Sequence, residues 1–181
     1  MEIVKTAIAG CLLLKPRIYR DERGWFYESF NAEVLRDFVP EVMNFVQDNR
    51  SCSAKHVLRG LHFQQAPHAQ AKIIQVIQGK VRDAVVDLRK DSPTYLQHFV
   101  IELDASDHQL MYIPAGLAHG FLSLEDETVF QYKCSAFYNP ESESGIRFDD
   151  PDLALDWGVG HDNIRLSGKD RDLPSLKEVI G

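Results

Sequence analysis

The residues best suited to chemistry fall in two short stretches. The first is Leu58-Arg59-Gly60-Leu61-His62-Phe63-Gln64, followed by Gln70-Ala71-Lys72. Alternation along an extended chain predicts Arg59, Leu61 and Phe63 on one face, with His62 and Gln64 together on the other. An imidazole exchanges its proton near neutrality and can serve as a base. A histidine between Leu and Phe can equally be a hydrogen-bonded core residue. Lys72 opens the apolar run 72–77, where its ammonium requires either water or a ligand. The second stretch is Ile113-Pro114-Ala115-Gly116-Leu117-Ala118-His119-Gly120-Phe121. Its Pro and Gly predict a tight turn that presents His119 at the start of the next strand.

Strands must position these side chains. Runs rich in β-branched and aromatic residues recur at 72–77, 81–88, 97–103, 110–113, 120–123 and 129–137, punctuated by Gly, Pro, Asp and Asn. Many short strands at this spacing predict a mainly β sandwich or barrel rather than alternating βα units. Helical periodicity is confined to 31–38, where Asn31 can cap and Val34, Leu35 and Phe38 would share a face, and to 175–179. No repeat, low-complexity tract or long linker divides the chain, so residues 1–181 are expected to form one domain.

Composition narrows the function. The 181 residues are 44% hydrophobic and 26% charged, which is ordinary for a globular protein. A formal charge of -7 argues against nucleic-acid binding, which depends on an excess of Lys and Arg. The apolar run near the N-terminus is too short for a membrane span or a secretory leader, so the expectation is a cytoplasmic protein with no membrane partner. Cys11, Cys52 and Cys134 are odd in number and lack CxxC spacing, predicting neither a disulfide framework nor a zinc knuckle.

The stretch containing His119 resembles the second motif of the cupin superfamily, and residues 60–79 resemble the first. The resemblance implies a double-stranded β-helix, or jelly roll, with a few short helices. Metal-binding cupins present HxH, a carboxylate and a third histidine. Here the residues are His62-Phe63-Gln64, with Lys72 in the region of the carboxylate. A protonated ammonium cannot ligate a cation and repels one, so no metal and no other cofactor is expected.

Several further segments resemble the dTDP-4-dehydrorhamnose 3,5-epimerase family. They are Asp21-Glu22-Arg23-Gly24-Trp25-Phe26-Tyr27-Glu28, Phe45-Val46-Gln47-Asp48-Asn49, residues 57–64, Gln70-Ala71-Lys72, residues 83–89 with Ser92-Pro93-Thr94, residues 114–121, Tyr132-Lys133, and Ser167-Gly168-Lys169-Asp170. The resemblance implies inversion at the two carbons flanking the C4 ketone of a dTDP-4-keto-6-deoxy sugar. It implies His62 as base, Asp170 orienting it, Lys72 stabilising the enolate and Tyr132 as acid. Asp172 competes with Asp170 for the pairing. Arg23 and Arg59 would contact the diphosphate, Glu28, Gln47 and Asn49 the nucleoside, and Phe26 and Tyr138 would stack on the base. His119, Glu143 and Lys169 would also meet the ligand. A homodimer is implied, in which N-terminal strands extend the partner's sheet and residues near 23–28 complete the neighbouring site. The competing expectations are a single-carbon epimerase or ketoisomerase on a related sugar, and a non-catalytic sugar-nucleotide-binding cupin.

Overall fold

The computed structural model describes all residues from 1 to 181. Thirteen strands run in chain order as β1 (Glu2–Lys5), β2 (Leu12–Lys15), β3 (Tyr19–Asp21), β4 (Gly24–Phe26), β5 (Gln47–Ser53), β6 (Leu58–Gln64), β7 (Lys72–Gln78), β8 (Lys80–Asp87), β9 (His98–Asp104), β10 (Leu110–Ile113), β11 (Leu117–Ser123), β12 (Thr128–Cys134) and β13 (Glu143–Gly145). Three short helices accompany them: α1 (Ala32–Leu35), α2 (Gly168–Arg171) and α3 (Leu176–Ile180). Two antiparallel sheets result, a six-stranded one in the order β1-β2-β10-β7-β12-β5 and a five-stranded one in the order β13-β6-β11-β8-β9. This is the expected jelly roll. The hairpin β3–β4 pairs with neither sheet. No helix is long and apolar enough to cross a membrane.

Alternation explains why both sheets are covered twice. Ile74, Val76, Val81, Val85, Met111, Ile113, Leu117, Phe121 and Phe130 meet between the sheets. Their strand neighbours Ala84, Val86, Ala118 and Leu122 point outward from the five-stranded sheet and pack under Leu153, Leu155, Trp157 and Leu176. On the other sheet, Leu12, Leu14, Ile73, Leu110 and Tyr112 pack under Leu35, Val39 and Val42. Burying a side chain of this size contributes roughly 1.5–3 kcal/mol. The C-terminal segment that carries α2 is therefore held firmly against the five-stranded sheet.

Several elements depart from expectation. The strand expected at 120–123 begins at Leu117, and the one expected at 129–137 stops at Cys134. Beyond Cys134 the carbonyls of Ala136 and Phe137 turn to the side-chain amides of Gln70 and Gln64, at 2.7 and 3.3 Å, and leave the ladder. Asn31 does cap α1, accepting from Glu33 and Val34 N–H. Of the expected apolar face only Leu35 is buried, while Val34 and Phe38 are exposed, because the helix is a single turn. The helix at the C-terminus is closed by a capping box between Ser175 and Glu178.

The two strands that bring the histidines together approach closely at Gly60 and Gly120. Gly60 has φ +116°, and a Cβ there would lie 2.6 Å from Gly120 Cα and 2.7 Å from His119 O. Gly60→Ala would meet backbone on a neighbouring strand and adopt an unfavourable φ, a combined cost of about 3 kcal/mol or more. A urea midpoint within error of wild type would refute this.

Candidate active site

His62 lies on β6, directly opposite His119 of β11. Between that pair and the next, Phe121 opposite Arg59, the register shifts. The irregularity breaks the expected alternation: Arg59 and His62 line the same cavity, while Leu61 and Phe63 pack on the outer face as predicted. Gln64 faces the cavity beside His62, but its amide is committed to the backbone of His68, Phe137 and Asn139. Those bonds pin the loop that presents Tyr138.

A partner for His62 arrives from far along the chain. Residues 164–166 run beside the start of β6, where Leu58 N–H donates to Arg165 O and Arg165 N–H to His56 O. Ser167 then caps α2, its Oγ accepting from Asp170 N–H at 3.0 Å. This places Asp170 Oδ1 2.5 Å from His62 Nε2. Burial works to raise the Asp170 pKa, yet the His62 hydrogen bond and charge, with Ser167 and Lys169, hold it below the ordinary carboxylate value. Asp170 is buried and Asp172 exposed, so the structure brings the first and not the second to His62.

Facing this pair, the six-stranded sheet contributes Lys72 from β7, Tyr132 from β12 and Asn49 from β5. Two adjoining chambers of about 400 and 270 Å³ share His62, Lys72, Tyr132, Asn49, Tyr138 and Glu143. Lys72 Nζ lies 5.9 Å from the Tyr132 ring centroid. Burial pushes the Lys72 pKa down, against Cys134, Asp83 and Glu143. Burial also pushes the Tyr132 phenol up, with Cys134 adding to the effect and Arg59 opposing it. The phenol therefore keeps its proton at neutral pH. Arg59 is braced by Ser53 Oγ at 3.1 Å. Gln47 Nε2 donates to Asn49 Oδ1, and Gln47 Oε1 accepts from Tyr138 N–H, so these side chains form one rim. At the mouth Glu143 Oε2 accepts from Tyr138 OH at 2.6 Å and lies 2.5 Å from Lys169 Nζ. No three His, Cys, Asp or Glu side chains converge as a ligand set for a metal.

The arrangement places an imidazole–carboxylate pair on one side of a cavity and a phenol and an ammonium on the other. Residues 5–178 match the family model described as dTDP-4-dehydrorhamnose 3,5-epimerase. The chain belongs to this family. It is 44% identical over 176 residues to the dTDP-4-dehydrorhamnose 3,5-epimerase of Methanothermobacter thermautotrophicus, covering 97% of this chain and 94% of that one. The crystal structure of the Elizabethkingia anophelis enzyme of the same name superposes with a TM-score of 0.94 at 43% identity, covering 98% of this chain and 97% of that one. The dTDP-6-deoxy-D-glucose-3,5-epimerase of Legionella pneumophila, solved with dTDP-4-keto-L-rhamnose, has a TM-score of 0.90 at 42% identity, with coverage of 97% and 93%.

Against the residues that the family resemblance singled out, eleven lie at or around the cavity: His62, Lys72, Tyr132, Asp170, Gln47, Asn49, Arg59, His119, Tyr138, Glu143 and Lys169. Arg23, Phe26 and Glu28 do not. Arg23 sits on the β3–β4 hairpin, paired with Asp21 and 85% exposed, and Phe26 is 64% exposed. Glu28 accepts from Asn31 Nδ2 away from both chambers. Sequence reasoning missed Ser51, Ser167, Phe121 and Phe130 in the lining, and Asp83 beneath it. Ser51 was detectable by period-2 continuation from Gln47 and Asn49. Asp83 was detectable as a lone charge within the apolar run 81–86.

Because the Asp170 pKa is depressed in the folded state, its stabilising contribution is present above about pH 4 and lost as pH falls through the folded value. Wild type should exceed Asp170→Asn in denaturant stability at pH 6, with the difference closing in acid. A difference that grew on acidification would contradict the assignment.

Proposed function

We propose that this protein inverts C3 and C5 of dTDP-4-dehydro-6-deoxy-D-glucose, yielding dTDP-4-dehydro-L-rhamnose. The observation that carries the reading is that His62 and Tyr132 reach one cavity from opposite sheets. Inversion requires removal of a proton from one face of a carbon and return from the other. Membership of the family and the epimerase names of its relatives supply the substrate.

A proton α to a ketone is acidic because its loss delocalises charge onto the carbonyl oxygen. In the proposed reaction His62 Nδ1 accepts that proton, because Nε2–H is given to Asp170, and Asp170 stabilises the resulting imidazolium. The electron pair moves to O4, where the Lys72 ammonium supplies the positive charge that a Lewis acid would otherwise provide. Tyr132 OH gives its proton to the carbon from the opposite face, and exchange with water restores both groups. The same sequence at the second carbon completes the conversion. No metal is needed in this scheme. Arg59 and Lys169 suit the diphosphate, and Tyr138, Gln47 and Asn49 the nucleoside.

Arg23, Phe26 and Glu28 are proposed to serve a neighbouring subunit in a homodimer. Supporting this, the hairpin that carries Arg23 and Phe26 is bonded to neither sheet of its own chain and leaves Trp25 and Phe26 exposed. Mixing subunits of Arg23→Ala with His62→Ala should regain activity, because each heterodimer then holds one intact site. Mixtures as inactive as their parents would place Arg23 in its own chain's site.

The catalytic reading is tested by proton NMR in deuterated water with chelator present. Deuterium should enter both C3 and C5 as the L-sugar forms, and His62→Ala should lower the rate by roughly 10²–10⁴-fold. Exchange at one carbon would make the protein a single-site epimerase. Binding without exchange would make it a recognition module.

A further inference from the structure

We propose that Asp83 is a positioning residue for this site: through His119 it turns a free ring nitrogen to the sugar. The sugar as ligand rests on the epimerase reading, whereas the orientation of His119 does not.

Asp83 points between the sheets from β8 in line with Val81 and Val85, and it has no exposed surface. Its Oδ2 lies 2.9 Å from His119 Nε2, and its Oδ1 is buried without a hydrogen-bond partner. A carboxylate oxygen left unpaired in a core is destabilising. Packing alone gives no reason for a charge at this position.

The His119 ring has an aromatic neighbour. It stacks on Phe130 with centroids 6.0 Å apart and planes at 24°, and Phe130 stacks on Phe121 at 4.0 Å. A ring in this plane has two orientations related by a flip, and the Asp83 hydrogen bond selects the one with Nε2 turned inward. The other nitrogen makes no hydrogen bond to the protein, and His119 lines the cavity. An Nε2–H given to Asp83 leaves Nδ1 an acceptor for a hydroxyl. His62 and His119, cross-strand partners, thus each use Nε2 on an aspartate.

An NMR measurement on the ligand-free protein decides the matter. At pH 8, ¹⁵N-histidine spectra of the wild type should show the His119 proton on Nε2, with Nδ1 unprotonated. A His119 proton on Nδ1 in the wild type would overturn the positioning role without recourse to any variant. Should the wild type fail to exchange deuterium into the sugar, the epimerase reading falls while the NMR outcome still judges Asp83.

Discussion

Charge buried between two sheets must be answered by opposite charge or by a hydrogen bond, and one end of this jelly roll is organised by that requirement. Much of the space between the sheets is filled by aliphatic and aromatic side chains. At the cavity the same inward positions hold Lys72, Asp83 and His119, with Asp170 reaching in from outside the sheets. Burial pushes the Lys72 pKa down and the Asp83 pKa up, each opposed in part by neighbouring charge, whereas at Asp170 the His62 bond outweighs burial. The His62–Asp170 and His119–Asp83 pairs are local solutions. Lys72 has no such direct partner, which suits a cation whose proper partner is charge developing on a bound molecule.

Sheet geometry gives this polar end its two-sidedness. Strands of the five-stranded sheet carry His62, His119 and Arg59, and strands of the six-stranded sheet carry Lys72, Tyr132 and Asn49. A ligand lying between the sheets is therefore met on one face by imidazole and on the other by phenol and ammonium. The register shift at Gly60 sharpens the arrangement by bringing Arg59 to the side of His62. Rigid strands hold such groups more accurately than loops would.

The C-terminal segment links the mouth of the cavity to its interior. Lys169 and Asp170 are consecutive in α2, the first bound to Glu143 at the mouth and the second to His62 inside. Leu155 and Trp157 before this turn, and Leu176 after it, are buried on the outer face of the five-stranded sheet. The capped turn is thereby a fixed bracket rather than a mobile flap.

Much of this was legible in the sequence because it depends on local periodicity. Alternation marked the strands and set Leu61 and Phe63 outward, Asn31 announced its helix, and His62, Lys72 and His119 stood out as polar residues in apolar runs. The ordered motifs carried the family. What the sequence could not decide involves pairing across the fold. The shift that places Arg59 beside His62 depends on β11, and Arg23 and Phe26 fall outside the cavity because their hairpin joins neither sheet. His62 and Asp170 stand 108 residues apart, as a contact between sheet and C-terminal segment. Side-chain period is a property of each strand, whereas register, bulges and the approach of distant segments are set by how strands and layers fit together, and only the tertiary structure decides them.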